Sequence, residues 1–140
     1  MNRKELIIRT EKQFTNLNQE LNEFVKDKKG IGLLHVFTTH TTCAVKIIEG
    51  ETLLLADINN FLDKLIPKEG NYMHDKIEIR DVPINERINA HSHLRQLFLP
   101  TSETIPVQDG KLMLGKWQSV YLVELDPIRD RQIIITYIEE

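Results

Sequence analysis

The last forty residues of the chain, from Thr101 onward, read only as strand and turn, and this restricts the fold more than any other feature. Strand segments are predicted at Thr104-Val107, Lys111-Leu114, Ser119-Glu124 and Gln132-Ile138, each rich in apolar or β-branched residues. Asp109-Gly110 lies between the first two and is the dipeptide that a tight two-residue hairpin favours. The expectation is an antiparallel meander following a helix-containing first half.

That first half alternates irregularly. Leu6-Ile7-Ile8 is a short strand-like run. Leu17, Leu21, Phe24 and Val25 recur at i, i+4, i+7 and i+8, which predicts a helix capped by Thr15, with Lys26, Lys28 and Lys29 in its last turn and Gly30 as its stop. Two β-rich runs follow, Ile31 to Thr38 and Thr42 to Ile48. From Glu51 to Ile66 the period returns to helical, with Leu54, Ile58, Phe61, Leu62 and Leu65 on one stripe and Pro67 and Gly70 ending it. A third short helix is expected from an Asn89 cap to Pro100. The pattern lacks the strict strand–helix alternation of a doubly wound sheet, so the class is α+β, with residues 1–140 as one domain.

Composition narrows the function. Hydrophobic residues are 41% and charged residues 28% of a chain with net charge −3, as in an ordinary globular protein. No basic stripe of the kind that tracks nucleic acid is present, and the pair Arg129/Arg131 reads as solvated or as a local anion contact. No run approaches the roughly 20 apolar residues that cross a bilayer. The opening residues, Met1 to Glu5, lead into a strand rather than a secretory leader. The single cysteine, Cys43, cannot form an intramolecular disulfide, which makes a reducing cytoplasm the expected compartment. Its neighbours are small and apolar, the surroundings of an inert buried thiol.

Phosphate-binding glycine loops, paired Cys-x-x-Cys and His-Glu-x-x-His are all absent from the sequence. The chemistry-bearing feature is the placing of five histidines. His35 falls mid-strand among apolar residues and reads as a satisfied core or interface residue. His40 lies in the polar turn Thr38 to Thr42, His74 adjoins Asp75 in a loop, and His91 and His93 open the third helix. Loops and element ends are where site residues concentrate, and imidazole suits either a metal or a phosphate. Scattered surface histidines would give the same spacing. Glu49 and Asp57 flank the start of the second helix and are available carboxylates, though surface solvation explains them equally well.

The stretch Ser102 to Val120, with Gly115-Lys116-Trp117-Gln118 near its end, closely resembles the signature of the YjbQ-like family, Lys116 standing where Thr is usual. His40-Thr41-Thr42, Glu49, Tyr72-Met73-His74-Asp75 and Asn89-Ala90-His91-Ser92-His93-Leu94 resemble its other blocks in order and spacing. Ile48 departs from the usual Asn, removing one side-chain hydrogen bond, and Ser92 replaces Ala. The resemblance implies a β-sandwich-like α+β domain with two to three helices and mixed or antiparallel sheets, assembled as a homotrimer. It also implies a thiamine-phosphate synthase activity, in which a pyrimidine diphosphate alkylates a thiazole phosphate and pyrophosphate leaves.

On that reading His40, Glu49 and His93 are the expected catalytic residues, and Asp75, Asn89, Arg95, Trp117 and Gln118 the expected substrate contacts. His40, His74 and His93 are the expected ligands if a divalent metal, zinc or magnesium, is used. A metal-assisted hydrolase of a phosphorylated small molecule, or a trimeric protein that only binds one, are the alternatives.

Overall fold

The computed structural model describes residues 2–140, so Met1 of the opening run lies outside the described residues. Five strands form one antiparallel sheet in the order β1 (Arg3–Thr10), β8 (Arg129–Glu139), β3 (Ile31–Thr38), β5 (Ser102–Gln108) and β6 (Lys111–Leu112). A second antiparallel sheet has β7 (Ser119–Glu124) between β2 (Phe14–Asn16) and β4 (Cys43–Ile48). The helices are α1 (Asn18–Val25), α2 (Thr52–Leu65) and α3 (Ala90–Gln96). No helix among the described residues is long and apolar enough to cross a membrane.

Strand alternation builds the core. Every second residue of β3, β5 and β8 (Leu34 and Val36, Ile105 and Val107, Ile133, Ile135 and Tyr137) faces the second sheet and is buried. Cys43, Val45, Val120 and Leu122 answer from that sheet, and Leu17, Leu21 and Val25 close one side from α1 and its approach. The second sheet is covered on its other face too, where Ala44, Tyr121, Val123 and Leu125 pack against Leu62 and Ile58 of α2. Burial on both faces explains why Val120 to Val123 read as a continuous apolar run instead of an alternating one. Among the described residues nothing covers Ile7, Ile31, Leu33 and Ile138, which stand exposed on the outer face of the five-stranded sheet.

Several expectations need correction. The last forty residues do not form a meander, because β7 leaves the first sheet for the second between its sequence neighbours β6 and β8. Thr15 is not a helix cap; it lies in β2, pairs with Leu122, and α1 starts three residues later. The three lysines follow α1 instead of forming its last turn. The Asp109-Gly110 hairpin forms as expected: both residues take positive φ, and a Cβ at Gly110 would collide with the Lys26 carbonyl. Finally, Arg131 is not solvated at all. It is 1% exposed.

Candidate functional site

The polar end of the core is set by the same alternation that builds it. Counting back by twos from Tyr137, Ile135 and Ile133 reaches Arg131 and then Arg129, so both arginines point to the inner side of β8. Glu124 stands in phase with Val120 and Leu122 on β7, and is 2% exposed. Its carboxylate accepts from Arg131 Nε at 2.7 Å, from Arg131 Nη2 at 2.5 Å, from Thr10 Oγ1 at 2.5 Å and from the Asp126 backbone N–H at 2.9 Å. Arg131 Nη2 also donates to the carbonyl and hydroxyl of Thr42 at 3.1 and 2.9 Å. Burial works against the Arg131 charge, but the Glu124 hydrogen bonds and nearby negative groups outweigh it and raise the guanidinium pKa.

A second carboxylate extends this network toward solvent. Asp126 accepts from Asn89 Nδ2 at 2.8 Å, Arg87 Nη1 at 3.3 Å and Arg129 Nη1 at 3.4 Å. Asn89 was expected to cap α3, yet its side chain makes no cap bond and serves Asp126 instead. The cap comes from Asp75, whose Oδ1 accepts from the Ala90 N–H at 3.0 Å. Asp75 thus ties the short 3-10 turn Met73–Asp75 to the start of α3, and this seats the His74 ring against that of His93, 4.7 Å between centroids.

His40 follows β3, and its turn is clamped by Gln96 Nε2, which donates to the carbonyls of His40 and Cys43 at 3.0 Å each. The His40 Nε2 atom lies 2.9 Å from the Gln132 backbone N–H and accepts from it. A neutral ring that accepts at Nε2 carries its proton on Nδ1, so the free nitrogen of His40 is a donor. Burial first, then the charges of Arg131 and Arg129, lower the His40 pKa and favour this neutral form. The His93 pKa is lowered as well, by burial and then by His74.

These groups surround one cleft of about 270 Å³, lined by Thr39, His40, Thr41, Thr42, Asn89, His93, Arg129 and Arg131. Its lining residues include two guanidinium groups, two imidazoles and the threonine hydroxyls. No carboxylate residue lines it; the acids that hold the arginines lie behind them. Guanidinium, imidazole and hydroxyl donors are groups that can hydrogen-bond an anion.

The fit to a metal is poor. Among the described residues no group of three or more His, Cys, Asp or Glu side chains could hold a metal ion. The three expected ligands, His40, His74 and His93, do not form such a group. The physical reason at His40 is that its lone pair is already engaged by a backbone N–H, leaving a protonated nitrogen where a ligand atom would be needed.

The other expected site residues lie elsewhere. The Arg95 head group is buried against the Ile66 carbonyl at 2.8 Å and Asp63 at 2.9 Å, outside the cleft. Glu49 and Trp117 line a separate cleft with Lys116, at the other end of β4 and β7. Cys43 pairs with Glu124 at one end of that ladder and Ile48 with Ser119 at the other, a span of roughly 17 Å at about 3.3–3.4 Å per residue. Trp117 is 65% exposed there. Gln118 accepts from the Gly115 N–H at 2.8 Å and so shapes its own turn. His35 is satisfied on the outer sheet face by Thr104 Oγ1 at 3.1 Å. His91 is buried on α3, paired with Ser92 Oγ at 3.2 Å.

Sequence reasoning offered the Arg129/Arg131 pair as solvated ends or a local anion contact, and both residues line the cleft, but it missed Glu124, Asp126 and Gln96 altogether. Arg131 and Glu124 carried a usable signal of burial, since each is a charged residue in phase with a buried apolar stripe.

The model of the family described as UPF0047 protein YjbQ-like matches residues 4–140. A UPF0047 protein of Archaeoglobus fulgidus is 36% identical over 133 residues, covering 94% of this chain and 97% of that protein. One from Methanothermobacter thermautotrophicus is 40% identical over 114 residues, covering 80% of this chain and 73% of its own length. Among solved structures, a hypothetical protein from Aeropyrum pernix K1 superposes with a TM-score of 0.85 at 31% identity, over the whole of both chains. A protein of unknown function from Sulfolobus solfataricus P2 gives 0.84 at 27% identity, over 99% of this chain and 96% of that one. The match over nearly the full chain, in both sequence and backbone, places this protein in the YjbQ-like UPF0047 family.

Proposed function

We propose that the cleft between His40, His93, Arg129 and Arg131 binds the phosphate or diphosphate group of a small organic molecule. The observation that carries this is the convergence of two guanidinium groups and two imidazoles on a surface whose lining residues include no carboxylate. Taken with the sequence resemblance, the reaction is thiamine-phosphate-synthase-like. The thiazole nitrogen supplies an electron pair to the methylene carbon of the pyrimidine diphosphate, the carbon–oxygen bond breaks, and its electrons leave on pyrophosphate. The step calls for stabilisation of the leaving group's charge more than for a strong base. Arg129 and Arg131 supply fixed charge, and His40 supplies an Nδ1–H donor that needs no further proton.

The exposed apolar residues, Ile31, Leu33 and Ile138 on the sheet, Phe61 on α2, and Leu97 and Phe98 in the turn after α3, support self-association, for which a homotrimer is our reading. Glu49 and Trp117 can join the cationic cleft only from a second subunit, given the length of the ladder between them.

The test is calorimetric titration with pyrophosphate, followed by assay of pyrophosphate release. Arg129→Met should weaken pyrophosphate binding by about 10–100-fold, the value of one charge-assisted contact of roughly 1.5–3 kcal/mol. A chelator should leave the affinity unchanged. Release that needs both substrates supports the transferase; release of phosphate from one alone would assign a hydrolase, and binding without turnover a binding protein. Absence of pyrophosphate binding sinks the proposal. Light scattering that finds a stable monomer removes the trimer.

A further inference from the structure

Arg95 is a buried guanidinium that the cationic cleft does not use. It is only 5% exposed, so each of its nitrogens needs an acceptor. Nε and Nη2 donate to the Ile66 carbonyl at 3.0 and 2.8 Å, and Nη2 also meets Asp63 at 2.9 Å. Nη1 has no partner among the described residues. Arg95 borders a cleft of about 220 Å³ that Gln13, Asn59, Lys68 and His91 also line, and no residue of this lining belongs to the cationic cleft. Lys68 lies in the segment after α2, exposed and with no ion-pair partner among the described residues. After burial, the charges of Arg95 and Lys68 are what lower the His91 pKa, so both cations act on one ring. Glu124 is the one acid of the lining. Its side chain is fully buried and already accepts from Arg131, Thr10 and the Asp126 N–H, which leaves the two cations unopposed in the cleft.

We infer that this cleft is a second anion site, separate from the cationic cleft, and that it takes a compact oxyanion: free phosphate or the carboxylate of a small organic acid. The oxygens of such a ligand accept from Arg95 Nη1 and Lys68 Nζ, the charge-assisted contacts that an oxyanion makes most strongly. Gln13 and Asn59 add side-chain amides at the margin, and Leu125 and Pro127 give the cleft an apolar wall. Two observations choose this occupant. A buried guanidinium holds an unused donor toward a cleft, and the other cation on that lining is equally unpaired. The site stands or falls independently of the phosphate reading of the cationic cleft, because the two linings share no residue.

Inorganic phosphate, titrated calorimetrically into the full chain at low salt, is the probe. The wild-type chain should bind two phosphates. Lys68→Met should weaken one of them by about tenfold or more, the value of one charge-assisted contact, and leave the other within about twofold. Lys68 is exposed, so this variant keeps the fold, and the retained phosphate certifies it. Arg95→Lys, which can still reach the Ile66 carbonyl but lacks Nη1, should weaken the same phosphate. Arg129→Met should do the reverse, weakening only the phosphate that Lys68→Met spares. Acetate that competes for the Lys68-dependent site assigns it to carboxylates, and acetate that does not compete assigns it to phosphate. A single phosphate per chain, lost in Arg129→Met and untouched by Lys68→Met, overturns the inference and leaves the cationic cleft standing. A single phosphate lost in Lys68→Met and untouched by Arg129→Met does the opposite. No phosphate bound at all overturns both.

Discussion

Replacing Glu124 by Gln is the sharpest perturbation of the buried network, because it removes one charge and keeps the shape. The carboxylate accepts four donors: two N–H groups of Arg131, the Thr10 hydroxyl and the Asp126 N–H. A glutamine offers one oxygen and turns an NH₂ group toward the remaining donors, so the Arg131 guanidinium, 1% exposed, keeps only neutral acceptors, that oxygen and those of Thr42. Breaking one side of a buried pair costs about 3–5 kcal/mol. For a chain near this size each kcal/mol moves the melting midpoint by roughly 3 °C, so a fall of about 10–15 °C is expected. The measurements are urea unfolding, which reads the free-energy loss, and a thermal melt, which reads the midpoint, both at one fixed protein concentration, since self-association would otherwise move either by mass action. The double variant Glu124→Leu, Arg131→Met should recover most of that loss, because a buried pair replaced by apolar groups of similar volume is close to neutral. It should also lose pyrophosphate affinity, as Arg131 lines the cleft. A loss under about 1 kcal/mol for Glu124→Gln, or a double variant no better than the sum of its singles, would refute the reasoning.

Two further outcomes follow from the histidines and the cysteine. His40, His91 and His93 all have pKa values lowered from 6.5, each chiefly by burial, so the unfolded chain binds protons first as pH falls. Their contribution to stability is present in full above about pH 6.5 and is lost as pH falls through the lower folded values; unfolding free energies that stay flat from pH 7 to 5 would contradict this. Cys43 is buried, its Sγ lies 2.9 Å from Thr38 Oγ1, and burial pushes its pKa up and away from the reactive thiolate. Cys43→Ala should therefore leave pyrophosphate binding and turnover within a few-fold, and a hundredfold loss would assign the thiol a chemical role.

The fold was legible where local periodicity and tertiary burial agree. Ile31–Thr38 and Ser119–Glu124 are strands over the span that their β-branched content predicts, and the 51–66 region is helical with Glu51 as its cap, accepting from the Leu54 N–H at 2.7 Å. Errors arose where partner choice overrides local pattern. Ser119–Glu124 looks like the third strand of a meander until one notices that it is apolar at every position from Val120 to Val123, the mark of a strand covered on both faces. The three-residue strand Phe14–Asn16 has almost no local signal, and only pairing with Tyr121 to Val123 makes it one.

The site was less legible, for a related reason. Motif reading favours residues that look polar in a polar setting, which selected His40, His74 and His93 at loop and element ends, and the family resemblance added Glu49 and Trp117, far along the ladder. The groups that charge the cleft are instead those that look out of place. Arg131 continues the stripe of Tyr137, Ile135 and Ile133, and Glu124 continues that of Val120 and Leu122. A charged residue on a core stripe must meet an opposite charge where the two stripes end together, since either one alone would be expelled or neutralised. Here they end together because Arg131 sits two residues before the first core position of β8 and Glu124 two beyond the last core position of β7. The sheet pair therefore closes on an ion pair at one end, and the cleft opens directly over the arginine side of it. Had the strands been read by phase before being read by motif, Arg131 would have come ahead of any histidine.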